Sequence, residues 1–450
     1  MIKKRFQILL TLMLLCGFAT NAQGIEFRPI SLEEALVKAK VEDKLVFVDF
    51  YTMWCVPCKQ LSKMVFPLPE VGALYNKAFV SIKLNAEKEG LEAAKKYNVS
   101  AYPTLLFLTP DGNIAYKDTG AKPVKDILEL GHNAITSVTS KYSLEKLQND
   151  FAQKQTDEHF LKVYVEKLKE YGQSPVYGIE AWLKVQTEIK ENDVDMMEYL
   201  INNAKYLVAG GKAEEILYAN FNTYMDIATK SEEKTLNQLK LHLVLNTKVQ
   251  ALDVKSPELM LLFINAWQKL PEKYKSGNVL EHKLLYYSLL KDNKNYKATA
   301  IQYMDSLMAA NPIGYVREQD QNTYQQTAKK YEGSNNPKVV EALKELKIRG
   351  GYSSALVNRI DDVGQAYLSK ITKNKEYKIV ENWIDYGYKA QSGSYYIDNL
   401  NAHYYYAKGK IKKAIQYKEQ ALNNWPKSDK KLSTKAYELE QIKNGSYTYQ

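Results

Sequence analysis

The stretch Leu45-Val46-Phe47-Val48-Asp49-Phe50-Tyr51 is apolar except for one carboxylate, and it continues through Thr52 and Met53 into Trp54-Cys55-Val56-Pro57-Cys58-Lys59. A short continuous apolar run reads as a strand buried on both faces. The residues from about Pro57 to Val65 read as a helix, so the two cysteines fall at a strand-to-helix junction. This junction sets the terms for everything around it, because a strand of this kind needs neighbours in a sheet and helices against its faces.

The flanking sequence supplies them. Ser31-Leu32-Glu33-Glu34 is a capping box that opens a helix with Leu32, Ala35, Leu36 and Ala39 on its apolar side. Phe79 to Leu84 reads as a strand, Leu91 to Tyr97 as a helix, and Thr104 to Thr109 as a strand. Pro110-Asp111-Gly112-Asn113 is a turn into a further strand, Ile114 to Lys117, and Val124 to Ile135 closes as a helix. Alternating elements ending in a hairpin describe a mixed sheet with helices on both faces, over residues 24–140.

Beyond Tyr142 strand signals nearly vanish, and residues 141–450 read as all-helical. Of the 35 tyrosines, 30 lie after residue 140; on helical runs they read more readily as packing residues than as a ligand site. The stretch from Ala402 through Ala407-Lys408-Gly409-Lys410 to Ala421 and Pro426 resembles a tetratricopeptide helix-turn-helix. A step back of 34 residues sets Leu368 against Ala402, Tyr377 against Ile411 and Gly387 against Ala421. A fainter match runs from Tyr296 to Pro312. The expectation is a degenerate helical solenoid, repeat-like at about 362–426, with plain helical hairpins as the alternative.

With 450 residues the chain is too long for one core of ordinary size. Residues 1–22 carry Lys3, Lys4 and Arg5, then an apolar run from Phe6 to Ala19, then small residues before Gln23. That order is the pattern of a cleavable signal peptide, and the run is short for a membrane span. A periplasmic or secreted location and no stable membrane span are expected. Cys16 lies inside this segment, but Leu15 before it argues against lipid attachment, which wants a small residue there. The formal net charge of +10 is no nucleic-acid signature: residues 24–140 hold 14 basic and 14 acidic side chains, and no dense basic block interleaved with aromatics stands out in the rest.

If the signal is removed, Cys55 and Cys58 are the only cysteines left. At the start of a helix, unpaired backbone N–H groups and the positive dipole end favour the Cys55 thiolate. A fall in its pKa from about 8.5 to about 7 would raise the thiolate from a few per cent to about half at neutral pH. Cys58 lies one turn later and is expected to be the more buried, placed to attack a mixed disulfide at Cys55. A Cys-x-x-Cys is also half a zinc site, yet His132, His159, His242, His282 and His403 lack ligand spacing, so neither a metal nor any other cofactor is expected. A chemically inert pair remains the other reading.

Residues 25–140 resemble the thioredoxin superfamily. Trp54-Cys55-Val56-Pro57-Cys58-Lys59 matches its active-site motif, and Asp49 matches its buried acid, which exchanges a proton with the second cysteine. Burial would raise the pKa of such a carboxylate. Lys83 in Ile82-Lys83-Leu84-Asn85 matches the lysine near that acid. Tyr102-Pro103-Thr104 matches the loop whose proline is cis and faces the disulfide, and Gly120 matches a glycine lining the substrate groove. Phe66-Pro67-Leu68-Pro69-Glu70-Val71 looks like the variant found in exported members and in the C-terminal domain of the membrane-bound thiol reductant transporter. Val56 in place of the usual glycine, and Met53 before the tryptophan, depart from the cytosolic pattern. The resemblance implies a thiol-disulfide oxidoreductase with Cys55, Cys58, Asp49 and Lys83 in catalysis and Trp54, Tyr102, Pro103 and Gly120 at the substrate. Its partners would be protein or peptide disulfides and an upstream thiol donor. A disulfide oxidase or isomerase, or a scaffold that uses the fold for docking, are the alternatives.

Overall fold

A computed structural model describes residues 23–186, 193–427, 429 and 431–449. The expected signal segment, with Cys16, lies outside the described residues. The chain forms two compact units, Met1–Thr187 and Glu188–Gln450.

In the first unit, α1 (Leu32–Glu42) starts at Ser31, whose hydroxyl accepts from the Glu34 N–H while Glu34 reaches back to the Ser31 N–H. It leads into β1 (Leu45–Tyr51), then α2 (Val56–Gln60), which continues as a π turn over Leu61–Val65. Next come α3 (Pro69–Ala78), β2 (Phe79–Asn85), α4 (Leu91–Lys96), β3 (Thr104–Leu108), β4 (Ile114–Thr119) and α5 (Val124–Thr139). The sheet order is β2-β1-β3-β4, with β1 parallel to β2 and antiparallel to β3, and β3 antiparallel to β4. This is the mixed sheet with flanking helices that the alternation of elements calls for. Helix α3 was not among the expected elements; Pro69 sits in its first turn, where a missing N–H costs nothing.

Strand alternation divides the core. Val46, Val48 and Phe50 join Val80, Ile82, Leu84, Leu106 and Leu108 under α1 and α4. Phe47, on the opposite face, stacks on Phe107 at 5.0 Å and meets the Tyr75 ring of α3 edge-on at 4.9 Å. Asp49 is two residues from Phe47 and so lies on that same second face.

The same unit continues through α6 (Leu144–Phe151), α7 (Glu158–Glu170) and α8 (Val176–Val185). The turn after α7 closes on the outer strand: the Lys117 N–H donates to the Tyr171 carbonyl at 3.3 Å. Gly172 follows at φ 67°, where a Cβ would lie 1.9 Å from the Lys117 carbonyl oxygen, so this contact requires glycine.

Among its described residues the second unit is built of helices, from α9 (Val194–Asn202) to α22 (Leu432–Asn444). One of its apolar clusters gathers α15 (Asn293–Ala310), α18 (Tyr352–Leu368), α19 (Tyr377–Ala390) and α20 (Tyr395–Ala407), with Trp383, Tyr367 and Tyr303 among the buried rings. Ala402, Ala414 and Ala421, small residues of the repeat-like stretch, are fully buried; the latter two belong to α21 (Ile411–Asn424).

Candidate functional site

The end of β1 and the start of α2 set the two cysteines together. Cys55 is the cap of α2, in extended conformation, and the Cys58 N–H donates to its sulfur at 3.1 Å. The two sulfurs are bonded as a disulfide, with the Cα atoms 5.3 Å apart. The expectation that Cys58 is the more buried is corrected: Cys55 is 2% exposed and Cys58 3%. The disulfide ties both sulfurs to one spot. Met53, Trp54 and Val56 stand around the pair at 60%, 43% and 63% exposure, an apolar collar on the surface.

Beneath this collar, Asp49 is fully buried. In the parallel register it faces Lys83, whose Nζ lies 3.2 Å from Asp49 Oδ2. At this distance the Lys83 ammonium acts on the carboxylate both by its charge and as a donor. The Lys83 ammonium also donates a hydrogen bond to Ser62 Oγ, on the π turn of the active-site helix. It is also roofed by rings, 4.7 Å from the Phe27 centroid and 5.1 Å from that of Phe66. Burial pushes the Asp49 pKa above the ordinary aspartate value, and the Lys83 charge offsets only part of that rise.

A second set of contacts organises the rim. Trp54 Nε1 donates to Glu87 Oε1 at 2.8 Å, and the Trp54 ring meets Tyr102 edge-on at 5.9 Å. Glu87 is 6% exposed, and its own N–H donates to Asn85 Oδ1 at 3.0 Å. Burial, and to a lesser extent the Glu87 carboxylate, raise the Tyr102 pKa. The Tyr102-Pro103 bond is cis, and Pro103 immediately precedes β3. The Pro103 carbonyl accepts from the Gly120 N–H at 2.8 Å, which joins the start of β3 to the end of β4. Gly120 has φ 89° and open space where a side chain would be.

The structure therefore brings Cys55 to Cys58, Asp49 to Lys83, Trp54 to Tyr102, and Pro103 to Gly120. Sequence reasoning missed Glu87 and Ser62. Both are ordinary polar residues linked to the site over 33 and 21 positions of chain. Only the position of Glu87 just beyond the end of a strand offered a signal. Among the described residues no cluster of His, Cys, Asp or Glu could hold a metal ion.

Comparison with known proteins agrees with this geometry. The family model for a thioredoxin-like domain matches residues 32–135. Thioredoxin-1 of Saccharomyces cerevisiae is 42% identical over 85 residues, which cover 19% of this chain and 77% of the yeast protein. The chain belongs to the thioredoxin family. Its thioredoxin-like domain is also 33% identical, over 87 residues, to the thiol:disulfide interchange protein DsbD of Pseudomonas fluorescens. That match covers 19% of this chain and only 15% of the length of DsbD. A Bacteroides thetaiotaomicron protein of known solution structure, designated a disulphide-isomerase, is 47% identical over 26% of this chain and 97% of its own, with a TM-score of 0.24. No helix among the described residues is long and apolar enough to cross a membrane.

Proposed function

We propose that this chain is an exported thiol-disulfide oxidoreductase that reduces or exchanges disulfides of partner proteins in the periplasm or outside the cell. The observation that carries this reading is the Cys55–Cys58 disulfide capping α2, with the buried Asp49 on the strand that feeds it. Starting from the dithiol, the Cys55 thiolate attacks a substrate disulfide; one substrate sulfur leaves as a thiol and the other is held in a mixed disulfide. Cys58 gives its proton to Asp49, attacks the Cys55 sulfur and releases the second substrate thiol. The substrate gains two electrons and two protons, and the protein is left as the disulfide. A thiol donor upstream must then reduce it. The exposed Met53, Trp54 and Val56 with Tyr102 offer the apolar surface on which a polypeptide disulfide would sit, Lys83 tunes Asp49, and Pro103 and Gly120 present backbone at its edge. The helical region, repeat-like at 362–426, would select the partner.

Export rests on the basic-then-apolar pattern of residues 1–22. It predicts a mature protein starting at about Gln23 in a periplasmic or culture fraction, checked by N-terminal sequencing.

Cys58→Ser tests the chemistry. This variant should accumulate mixed disulfides on Cys55 in its native compartment, separable on non-reducing gels and identifiable by mass spectrometry. Absence of any trapped protein, with partners still bound by Cys55→Ser, would favour a docking scaffold. Direction is decided by the potential: a reductase belongs near about −270 mV, an oxidase or isomerase nearer about −120 to −180 mV. Equilibration with glutathione that gives a value above about −200 mV would overturn the reductase direction.

A further inference from the structure

In the second unit a cavity of about 540 Å³ opens where α16 (Ile313–Lys330), the end of α17 (Pro337–Arg349), the start of α18 and the turn after α19 converge. Its floor is fixed by hydrogen bonds. Asp320 of α16 accepts the Ser353 N–H at 2.9 Å, so its negative charge is engaged by the N-terminus of α18. Gly350 makes room for it: at φ 75° a Cβ would lie 2.2 Å from Asp320 Oδ2. The buried Gln391 amide donates to the Arg349 carbonyl at 2.6 Å and to Ser354 Oγ at 2.7 Å, which ties the turn after α19 to the connection between α17 and α18. The wall, by contrast, holds charge that the fold does not use. Arg317 and Lys347 line the cavity and form no ion pair among the described residues; Lys347 lies over the Tyr324 ring at 5.7 Å. Arg349, paired with Glu345 at 2.5 Å, adds a third cation. Lys347 and Arg349 end α17, where cations suit the helix dipole, but Arg317 stands one turn into α16, where the dipole gives a cation nothing.

We propose that this cavity binds an acidic, extended segment of a partner protein, with carboxylates on Arg317 and Lys347 and an apolar side chain beside Ile348. Charge sets the first part of that chemistry. With Asp320 engaged by the helix N-terminus, the ionised groups left in the lining are Arg317, Lys347 and Arg349, a field that draws carboxylates and repels cations. Length sets the second. Arg317, Gln321 and Gln325 follow one another at four-residue spacing along α16, a row of about 12 Å. That row matches about four residues of extended chain, whereas a lone anion would occupy one end of it. The remaining lining suits a polypeptide. The Gln321 and Gln325 amides both donate to and accept from a peptide backbone, and Ile348, 69% exposed between the two cations of α17, offers apolar surface to a side chain next to the acids. No residue of the redox site takes part, so the inference goes beyond the thiol-disulfide reading and is tested without it.

The test is fluorescence anisotropy on the full chain with a labelled octapeptide that carries Glu-Leu-Glu-Leu between Gly-Ser ends, against the same peptide with Gln in place of Glu. The acidic peptide should bind with a micromolar Kd that weakens as salt is added. The glutamine peptide should bind at least about tenfold more weakly. Combining Arg317→Gln with Lys347→Gln should cost the acidic peptide about tenfold in affinity. Combining Lys412→Gln with Lys413→Gln removes the same charge from the exposed side of α21 and should change affinity by less than about twofold. Failure of the native protein to bind the acidic peptide overturns the proposal, and so does equal binding of the two peptides. It is overturned equally if the Arg317 and Lys347 double variant, with native circular dichroism, binds within about twofold of the native protein. Displacement of the peptide by an equal concentration of inorganic phosphate would mark a site for a lone anion and overturn the peptide reading.

Discussion

At the scale of single residues, Asp49 sets function against stability. A carboxylate fully buried on a strand face is poorly solvated when charged, and its pKa is raised accordingly, the Lys83 ammonium offsetting only part of the rise. Because the folded pKa lies above the unfolded value of about 3.9, the folded protein binds the extra proton, and stability falls as pH rises from that value through the folded one. Replacing Asp49 by Asn removes this slope. By linkage we expect Asp49→Asn to be more stable than the native protein at neutral pH, by about 1.4 kcal/mol for each pH unit by which the folded Asp49 pKa exceeds the unfolded one. The gain should vanish below about pH 3.9, as read from urea midpoints across pH, while the second thiol release slows. Asp49 was visible in the sequence because it interrupts an otherwise apolar run, and the cysteines because their spacing fits one helical turn. Ser62 and Glu87 were not: their meaning lies in a lysine and an indole that only the sheet register and the π turn bring to them.

At the scale of elements, the same limit recurs in the helical region. Lys418 lies on α21 among Lys412, Lys413 and Glu419, a string of charges that reads as a solvated face, yet it is completely buried. Its ammonium donates to Asn399 of α20 and to Glu438 of α22, and Lys435 donates to the same carboxylate at 2.9 Å. Asn399 in turn donates to both oxygens of the buried Asp361 of α18 at 3.0 Å, and His403 stands 3.4 Å from Glu438. Burial drops the His403 pKa to about 4 and the Lys418 pKa to about 8, and pushes Asp361 up to about 7. Glu438 is held well below its ordinary value by Lys418 and Lys435, which overcome the cost of its burial. Four helices thus meet on one polar knot, and no single helix pattern announces it. Removing one member leaves uncompensated charge. Glu438→Gln should destabilise the second unit by about 3–5 kcal/mol, measured by urea denaturation. A depressed folded pKa gives stability that is present above the unfolded value of about 4.3 and is lost as pH falls below it. The difference between native and Glu438→Gln proteins should therefore shrink in acid.

At the scale of the whole molecule, the change from alternating elements to continuous helix was legible in the hydrophobic period, and the structure has that order. Less legible was how far the first compact unit runs. The period changes near Tyr142, but α6 to α8 belong with the sheet up to Thr187, because Tyr171 and Gly172 close on β4 through a backbone bond and a glycine-only contact. Each unit buries a core of its own, so unfolding should not be a single two-state event. The Cys55–Cys58 bond restrains the unfolded first unit by about 2 kcal/mol on the chain-entropy account for so short a loop. For a unit of this size that corresponds to about 4–8 °C in Tm. Calorimetry with and without a dithiol reductant should then give two transitions, of which reduction lowers one by that amount and Glu438→Gln lowers the other. A single transition that moves with both treatments would mean that the redox domain and the helical region unfold as one body. Oxidation of Cys55 and Cys58 would in that case be felt by the surface proposed to choose their partner.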